Sequence, residues 1–485
     1  MSSAVKSKEL AQSRIESADS DVATVISGPR AYTKRYVTTS SVNGTSDNPL
    51  DDLRMRPRQV LVLVIALLLA ALDGFDALSM SFVAPVLGRE WHLKKDVLGL
   101  LLSSSLAGMA VGAVALSPLA DKHGRRAMVL GAVALLTIGA GVSAAAGSAT
   151  MLAAARFLTG IGIGLMVAMT TLISAEFTNV HRRSIAIAGV ATMGFPIGGI
   201  LGGLASSIIL KAATWHWVFL TGSIAGVVLF VIVSLTLPES PAFLATRRAP
   251  DALETLNRVL SSLGQPTVST LPSTSDRGRR SYRALFATEM RGTVTRLTVI
   301  SILIATSSYY ILTWLPQIVV DSGFTPAQGS FVSALSGMLG FVGGIGFAAF
   351  ASRFRSTNVA AIAMTGAALA LSAVGVVPPS IPLFVISAGV LSFCLAGTTG
   401  LLYAILAETF PPSLRASGMG FVMGVMRIAS AAGPTLAGVM FAHGMTRAGV
   451  SIIFAIGPLL GAYLVASMRT RSNTATRVPV ALGEA

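Results

Sequence analysis

The sequence predicts an all-α integral membrane protein whose twelve membrane helices form two repeats of six. Of its 485 residues, 53% are apolar and 12% are charged, and the mean hydropathy is +0.73. Soluble proteins carry roughly 25% charged residues, about twice this share. The apolar residues are gathered into twelve runs, each long enough to span a bilayer. The two halves of the chain also repeat one another.

Taken in order, residues 1–59 are rich in Ser, Thr and charge without an apolar period, which predicts a disordered tail and not a signal peptide. The polar stretch 238–296 predicts a linker between six-helix bundles at 60–237 and 297–468. Residues 469–485 are expected to form a second tail. The predicted membrane segments are 60–87, 97–119, 127–147, 150–175, 185–209, 215–237, 297–319, 328–351, 357–378, 381–407, 416–442 and 448–468.

Lysine and arginine are concentrated in the gaps between apolar segments, and their distribution predicts the orientation. With both termini inside, 29 of the 36 basic residues lie on the cytoplasmic side, five lie outside, and Arg156 and Arg427 lie within segments. Cytoplasmic loops carry an excess of Lys and Arg, so we expect cytoplasmic termini in the plasma or inner membrane. The net charge of +15 is therefore topological, and no nucleic-acid partner is expected.

The sequence also excludes several kinds of site. The single cysteine, Cys394, lies in an apolar segment, so neither an intrachain disulfide nor a cysteine metal cluster can form. The five histidines lie beside segment ends and lack metal-ligand spacing. The chain contains no HExxH, P-loop or nucleophile elbow. We therefore expect no metal, no cofactor and no enzymatic activity.

The internal repeat is visible in the residues that follow segments four and ten. Glu176 recurs as Glu408, and at the same offset of 232 Arg183 recurs as Arg415. We expect either glutamate to pair with either arginine at the cytoplasmic helix ends. Parallel six-helix repeats build alternating-access transporters, which hold their substrate between the halves near mid-membrane. The repeat therefore predicts a central site.

Two acids, Asp73 and Asp76, lie in the middle of the first segment. Because a helix rises about 1.5 Å per residue, Asp73 falls roughly 20 Å along a segment that crosses about 30 Å of hydrocarbon. Residues three apart share a helix face, so both acids can point into one polar interior. We predict that Asp73 or Asp76 binds a transported proton. The alternative is that one acid pairs with an arginine of a neighbouring helix to fix the packing.

Arg427 is the predicted binding group for a substrate anion. It is the midpoint of segment 416–442, and no other Lys or Arg lies as deep in the C-terminal half. A carboxylate in a low dielectric needs a cation or several hydrogen-bond donors. The alternative is that Arg427 pairs with Asp73 or Asp76 across the two halves, since buried charges need partners.

Three aromatic residues of segment seven, Tyr309, Tyr310 and Trp314, are candidates for holding an aromatic ring. Tyr310 and Trp314 are four residues apart and therefore share a helix face. The alternative is that these side chains pack in the core or, for Trp314, at the membrane interface. In segment four, Gly160 and Gly164 form a small-residue face for close helix contact, and we assign them with Arg156 to helix packing.

The loop after segment two, Ser117-Pro118-Leu119-Ala120-Asp121-Lys122-His123-Gly124-Arg125-Arg126, resembles the loop signature of the major facilitator superfamily. The resemblance implies the major facilitator fold. It also implies that Asp121 and Arg125 form a cytoplasmic charge lock that holds one conformation. Gly124 would supply a turn that a Cβ would hinder.

Within that superfamily, Asp73-Gly74-Phe75-Asp76 resembles the helix-one motif of the aromatic acid:proton symporter family. Arg156 in segment four and Pro238-Glu239-Ser240-Pro241 after segment six also match, and the resemblance covers residues 60–468. It implies uptake of benzoate, a hydroxybenzoate, gentisate or a related aromatic carboxylate with a proton as the coupling ion. The expected partners are therefore this substrate, the proton and the lipid bilayer, with the chain acting as a monomer.

Other functions remain compatible with the same pattern. The fold could carry another small organic ion or a sugar with a proton, or export drugs in exchange for protons. A membrane receptor would bind the ligand without moving it. A channel would need a continuous pore instead of a central site between repeats.

Overall fold

A computed structural model describes residues 48–247, 250–271, 285–286, 288–351 and 353–468. Residues 1–47 and 469–485 of the predicted tails lie outside the described residues. Within the described part, twelve helices are long and apolar enough to cross a membrane. The predicted number of spans is therefore confirmed, and the chain is a multi-pass membrane protein.

The membrane helices are numbered α1 to α12 in chain order. Most of them extend a few residues beyond the predicted segments, because hydropathy locates the apolar middle of a helix better than its polar ends. Their bounds are α1 Pro57–Glu90, α2 Lys95–His123, α3 Arg125–Ala144, α4 Ala149–Glu176, α5 Val180–Ala212, α6 His216–Thr236, α7 Thr288–Asp321, α8 Pro326–Ala351, α9 Ser356–Val376, α10 Ile381–Thr409, α11 Pro412–Ala442 and α12 Arg447–Ala466.

Polar side chains fix where several of these helices begin. Ser148 accepts a hydrogen bond from the Met151 amide before α4, and Asn179 accepts one from the Arg182 amide before α5. These caps satisfy backbone donors that the first helical turn leaves unpaired. The connections at both ends of α4 are therefore short and fixed in position.

The two halves pack their helices in the same pattern. In the N-terminal half, α1 packs on α5, α2 on α4 and α3 on α6. In the C-terminal half, α7 packs on α11, α8 on α10 and α9 on α12. Each contact of the second half is a contact of the first half shifted by six helices, as expected of two six-helix repeats.

The halves meet at one end of the bundle. We call the end at which α1 begins the linker end, because the segment between α6 and α7 lies there, and the opposite end the far end. At the far end, Thr435 of α11 donates to Ser103 of α2 at 2.7 Å. Lys95 Nζ, also of α2, lies 2.6 Å from Asp321 Oδ2 of α7. We call these two contacts the far-end gate, since they join the halves at this end.

Small residues allow a close approach of the halves at the same end. Gly99 of α2 packs on the backbone of Pro434 and Gly438 in α11, and a Cβ on Gly99 would lie 2.8 Å from the Pro434 carbonyl oxygen. Gly203 of α5 likewise packs on Ser330 of α8. A bulkier residue at Gly99 would push α2 and α11 apart.

The chain before α1 and the linker after α6 both pack on the N-terminal half, which corrects the predicted boundaries. Asn48 donates to the Glu176 carbonyl oxygen at 2.9 Å, and Leu50 is fully buried. The linker contains two helices, Pro241–Thr246 and Ala252–Ser262, that join the same apolar cluster as Leu50. Residues 48–59 therefore do not belong to a disordered tail, because apolar side chains such as Leu50 pack into the core of the N-terminal half.

Candidate functional site

The candidate site lies at the middle of two helices from opposite halves. Asp73 and Gly74 are the two central residues of α1, and Arg427 is the central residue of α11. The side chains of Asp73 and Asp76 are buried, and that of Arg427 is half-buried. The three charges predicted to lie near mid-membrane are therefore at the centres of their helices.

The two residues between the acids set the rotation of α1. Gly74 contacts the backbone of Phe195 in α5 so closely that a Cβ would overlap its carbonyl group. The Phe75 ring packs against Gly202 of α5 and Gly222 of α6. Because these contacts hold the middle of α1 against α5 and α6, they decide which way the two acids point.

Asp76 forms a buried ion pair with Arg156 of α4. Arg156 Nη1 lies 3.1 Å from each carboxylate oxygen of Asp76, and Nη2 donates to the Asp76 carbonyl oxygen at 2.6 Å. The guanidinium also lies over the Phe219 ring of α6, 5.4 Å from its centroid. The pairing alternative left open by the sequence therefore holds for Asp76. Arg156, which was predicted to serve helix packing, joins α4 to α1 through this ion pair with Asp76.

Asp73 has no comparable partner. Its side chain is 1% exposed, yet neither carboxylate oxygen accepts a hydrogen bond from any residue that the structure describes. The charges that act on it belong to Asp76 and Arg427. An unpartnered carboxylate is unfavourable in a dry interior, whereas the neutral acid is tolerated. Of the two predicted acids, Asp73 is therefore the better candidate for gaining and losing a proton.

Arg427 faces the central region without an ion-pair partner. Its Nη1 donates to the Tyr309 hydroxyl at 3.4 Å. Within the described ranges, no carboxylate lies within 4.0 Å of the guanidinium. Arg427 therefore does not pair with Asp73 or Asp76 in this state. Its remaining N–H groups can donate hydrogen bonds to an anion.

Tyr310 and Trp314 lie in the core of the C-terminal half, so their predicted substrate-binding role is corrected. The Tyr310 ring stacks on Phe454 of α12 at 4.3 Å, and its hydroxyl hydrogen-bonds with Ser451 at 2.9 Å. Trp314 is also fully buried, and its indole N–H donates to the Pro434 carbonyl oxygen at 3.1 Å. The two residues share a face as predicted, but that face packs on α11 and α12. Tyr309 is the half-buried member of the three.

The glycines assigned to helix packing make the expected close contacts. Gly160 packs on the backbone of Ser105, and Gly164 packs on the backbone of Met109. Both contacts join α4 to α2. They bring the backbones of these two helices together next to the buried pair formed by Arg156.

A cluster of charges surrounds Arg125 at the linker end of the N-terminal half. The Arg125 guanidinium donates to Glu176 at 3.1 to 3.2 Å and lies 3.1 Å from Asp121. Its Nη1 donates to the Ala120 carbonyl oxygen at 3.0 Å. Side-chain exposure is 7% for Arg125 and 11% for Glu176, but 78% for Asp121. The predicted contact between Asp121 and Arg125 is present, with Glu176 as the buried partner.

Glu239, for which the sequence predicts no role, completes this cluster. Its carboxylate accepts from the backbone N–H groups of Arg125 at 2.8 Å and Arg126 at 3.2 Å, which places a negative charge at the start of α3. Gly124 has φ +92°, and a Cβ there would also overlap the Glu239 carboxylate. The predicted need for glycine is therefore supported on two grounds. The feature of the sequence that could have indicated Glu239 is its position just after segment six, at the same end of the helices as Arg125.

The other predicted ion pairs of the lock are wrong. Glu176 pairs with Arg125 instead of Arg183, because Arg183 reaches Asp51 in the segment before α1. Asp51 was missed because a polar tail gives no pattern that marks one acid. In the C-terminal half, Glu408 accepts from Ser356 at 3.1 Å. No ion pair joins Glu408 to Arg415 in the described part of the chain, and both side chains are exposed.

Comparisons with known proteins agree with this architecture. A family model described as Major Facilitator Superfamily matches residues 65–380 and 297–482. A gallate transporter of Pseudomonas putida is 28% identical over 411 residues, which cover 84% of this chain and 90% of that protein. The 4-hydroxybenzoate transporter PcaK of Pseudomonas putida is 29% identical over 378 residues, covering 77% of this chain and 84% of PcaK.

A solved structure shows the same fold. The partially occluded inward open conformation of the xylose transporter XylE from E. coli matches with a TM-score of 0.67. The match covers 85% of this chain and 98% of that chain at 16% sequence identity. At this identity the likeness concerns the arrangement of the helices alone.

Proposed function

The chain belongs to the Major Facilitator Superfamily, and we propose that it carries a small aromatic carboxylate together with a proton into the cell by alternating access. The observation that carries this proposal is a pair of central charges that form no ion pair among the described residues, Asp73 from one half and Arg427 from the other. The gallate and 4-hydroxybenzoate transporters among its relatives support the substrate class. The proposal includes no cofactor and no chemical conversion of the substrate.

Arg427 would hold the substrate carboxylate. A guanidinium offers a planar fork that matches a carboxylate through two parallel hydrogen bonds. Tyr309 already contacts Arg427 through its hydroxyl, so its ring lies beside the same place. The aromatic ring of a substrate could then pack on Tyr309 by its face or edge.

The proton would bind Asp73, and electrostatics would couple it to the substrate. In the empty site, the positive charge of Arg427 and the negative charge of Asp76 both act on Asp73. A substrate anion bound to Arg427 would cancel the positive charge and add a negative charge nearby, which favours the neutral, protonated Asp73. Substrate and proton would therefore bind together, and the loaded site would carry no extra charge through the membrane.

We propose that the linker end faces the cytoplasm, which follows the bias of basic residues toward that end. The described state, closed at the far-end gate, would then be inward-facing. Release of the substrate into the cell would be followed by separation of the far-end gate and closure of the linker end. The Arg125 cluster lies where that closure would occur.

Transport direction and proton coupling separate this proposal from its alternatives. Right-side-out and everted membrane vesicles containing the protein would be given labelled 4-hydroxybenzoate with and without a pH gradient. We expect uptake into right-side-out vesicles that stops when a protonophore collapses the gradient. Export driven by the gradient would indicate an antiporter, and saturable binding without uptake would indicate a receptor.

Replacing Arg427 should weaken substrate binding even when the charge is kept. Arg427→Lys loses the planar fork, and we expect roughly ten- to hundredfold weaker affinity, since a charge-assisted hydrogen bond contributes about 1.5 to 3 kcal/mol. Arg427→Ala should bind more weakly still. Calorimetric titration of the purified variants with 4-hydroxybenzoate measures the change.

The matched control for Arg427 is Arg353→Lys, which alters an exposed arginine at the linker end of the same half. It should bind as the unmodified protein does. Each variant must elute as a monodisperse species, because removal of Arg427 also removes a favourable charge from the surroundings of Asp73. Unmodified affinity in Arg427→Lys would place the anion site elsewhere.

Asp121→Asn should alter the balance between the two facing states without unfolding the protein. Arg125 keeps its buried partner Glu176, and an exposed pair contributes about 0 to 1 kcal/mol. We therefore expect reduced uptake with an unchanged melting temperature, and a changed ratio of inward to outward states by labelling of introduced cysteines. Glu176→Gln, which removes the buried partner, should lower the melting temperature. Unchanged uptake and labelling in Asp121→Asn would show that the contact between Asp121 and Arg125 does not influence the two facing states.

A further inference from the structure

A second polar site lies at the linker end of the C-terminal half, apart from the centre. It is a groove of about 530 Å³ between the start of α7 and the end of α12. Its lining residues are Arg291, Gly292, Thr295, Arg296, Val299 and Leu464. The groove therefore combines two guanidinium groups and a hydroxyl with an apolar wall.

Neither arginine of this groove has a polar partner among the described residues. Both side chains are exposed, and neither forms an ion pair or a hydrogen bond with any residue in the described part of the chain. Arg291 also lies in the first turn of α7, where the helix dipole favours a negative charge. A ligand that neutralised Arg291 and Arg296 would displace no hydrogen bond or ion pair made by the described residues.

The position of α12 shows what can reach the groove. This helix packs on α9, α7 and α11 of its own half. Its outer face carries exposed apolar side chains, including Leu460 at 48% exposure, one helical turn before Leu464. In a membrane-spanning chain, a face of this kind on a peripheral helix is in contact with lipid tails. Val299 and Leu464 extend the apolar surface into the groove itself.

We propose that this groove binds the headgroup of an anionic phospholipid from the leaflet on the linker side. Arg291 and Arg296 would hold the phosphate, Thr295 would donate a hydrogen bond, and an acyl chain would lie along Val299 and Leu464. Basic pockets between membrane helices suit anionic headgroups because they combine charge with access from the bilayer. The proposal does not depend on the identity of the transported substrate.

Lipid competition on the purified full-length protein tests this site. Native mass spectrometry would compare binding of phosphatidylglycerol and phosphatidylcholine with identical acyl chains. We expect the unmodified protein to bind phosphatidylglycerol roughly tenfold more tightly, and Arg291→Gln/Arg296→Gln to lose this preference. The matched control, Arg182→Gln/Arg353→Gln, removes two exposed arginines of the same end outside the groove and should keep it.

Two outcomes would overturn the lipid proposal. The first is a preference for phosphatidylglycerol that survives in Arg291→Gln/Arg296→Gln, or that the control loses equally. The second is inorganic phosphate bound as tightly as phosphatidylglycerol, which would show that the acyl chain contributes nothing and that the ligand is a free anion. If the double variant melts below the unmodified protein, the single variants Arg291→Gln and Arg296→Gln decide the result.

Discussion

Asp73→Asn is expected to abolish accumulation of the substrate while leaving its exchange across the membrane intact. Asparagine matches aspartate in size but cannot take up a proton, and no described partner depends on the Asp73 charge. A proton that crosses a gradient of one pH unit supplies about 1.4 kcal/mol, enough for about tenfold accumulation. In proteoliposomes with this gradient, the accumulation ratio should fall from about ten to about one.

Two further variants make the Asp73 result specific. Asp73→Glu keeps a carboxyl group and should retain part of the accumulation. Asp96→Asn changes an acid at the far end of α2, which accepts from the Val97 amide, and should accumulate substrate normally. Tenfold accumulation by Asp73→Asn would mean that another group carries the proton.

Asp76→Asn should instead destabilise the fold. It leaves the fully buried Arg156 guanidinium without its counter-charge, and breaking a buried pair from one side costs about 3 to 5 kcal/mol. Denaturant unfolding of the purified protein in detergent micelles measures the loss. Asp73→Asn, three residues away on the same helix and equally buried, is the matched control and should unfold close to the unmodified protein.

A double variant separates the pair from its surroundings. Asp76→Asn/Arg156→Gln removes both charges and should recover part of the stability, because the desolvated cation is no longer present. The expected order of stability is the unmodified protein, then the double variant, then Asp76→Asn. Equal stability of Asp76→Asn and Asp73→Asn would show that the pair contributes nothing.

The sequence located the central charges but could not divide their roles. Hydropathy and helix spacing place Asp73 and Asp76 at mid-membrane on one helix face, and composition leaves Arg427 as the one deep cation of its half. Nothing within α1 distinguishes the two acids. The difference arises from Arg156, which is 80 residues away and reaches Asp76 only when α4 packs beside α1. Roles that depend on contacts between helices require the fold.

Other differences between the sequence-based predictions and the structure also have local causes. Helix spacing correctly predicts that Tyr310 and Trp314 share a face. It does not reveal whether that face lines a cavity or packs on another helix. Leu50 is a single buried side chain in a polar stretch, so it produces no periodic spacing of apolar residues. In contrast, helix Ala252–Ser262 buries Ala252, Leu256 and Leu260 at four-residue spacing, a pattern that the sequence does contain.

The far-end gate has a consequence for the energy of the transport cycle. It consists of one hydrogen bond and one ion pair whose side chains are 33% and 50% exposed, and such a pair contributes about 0 to 1 kcal/mol. The glycine contact of Gly99 adds close approach without interlocking side chains. These polar contacts therefore contribute little free energy to keeping the far end closed, and we expect that a ligand with a modest preference for one state can change the populations of the two facing states. Substrate and proton, more than the protein's own contacts, would then set the balance between them.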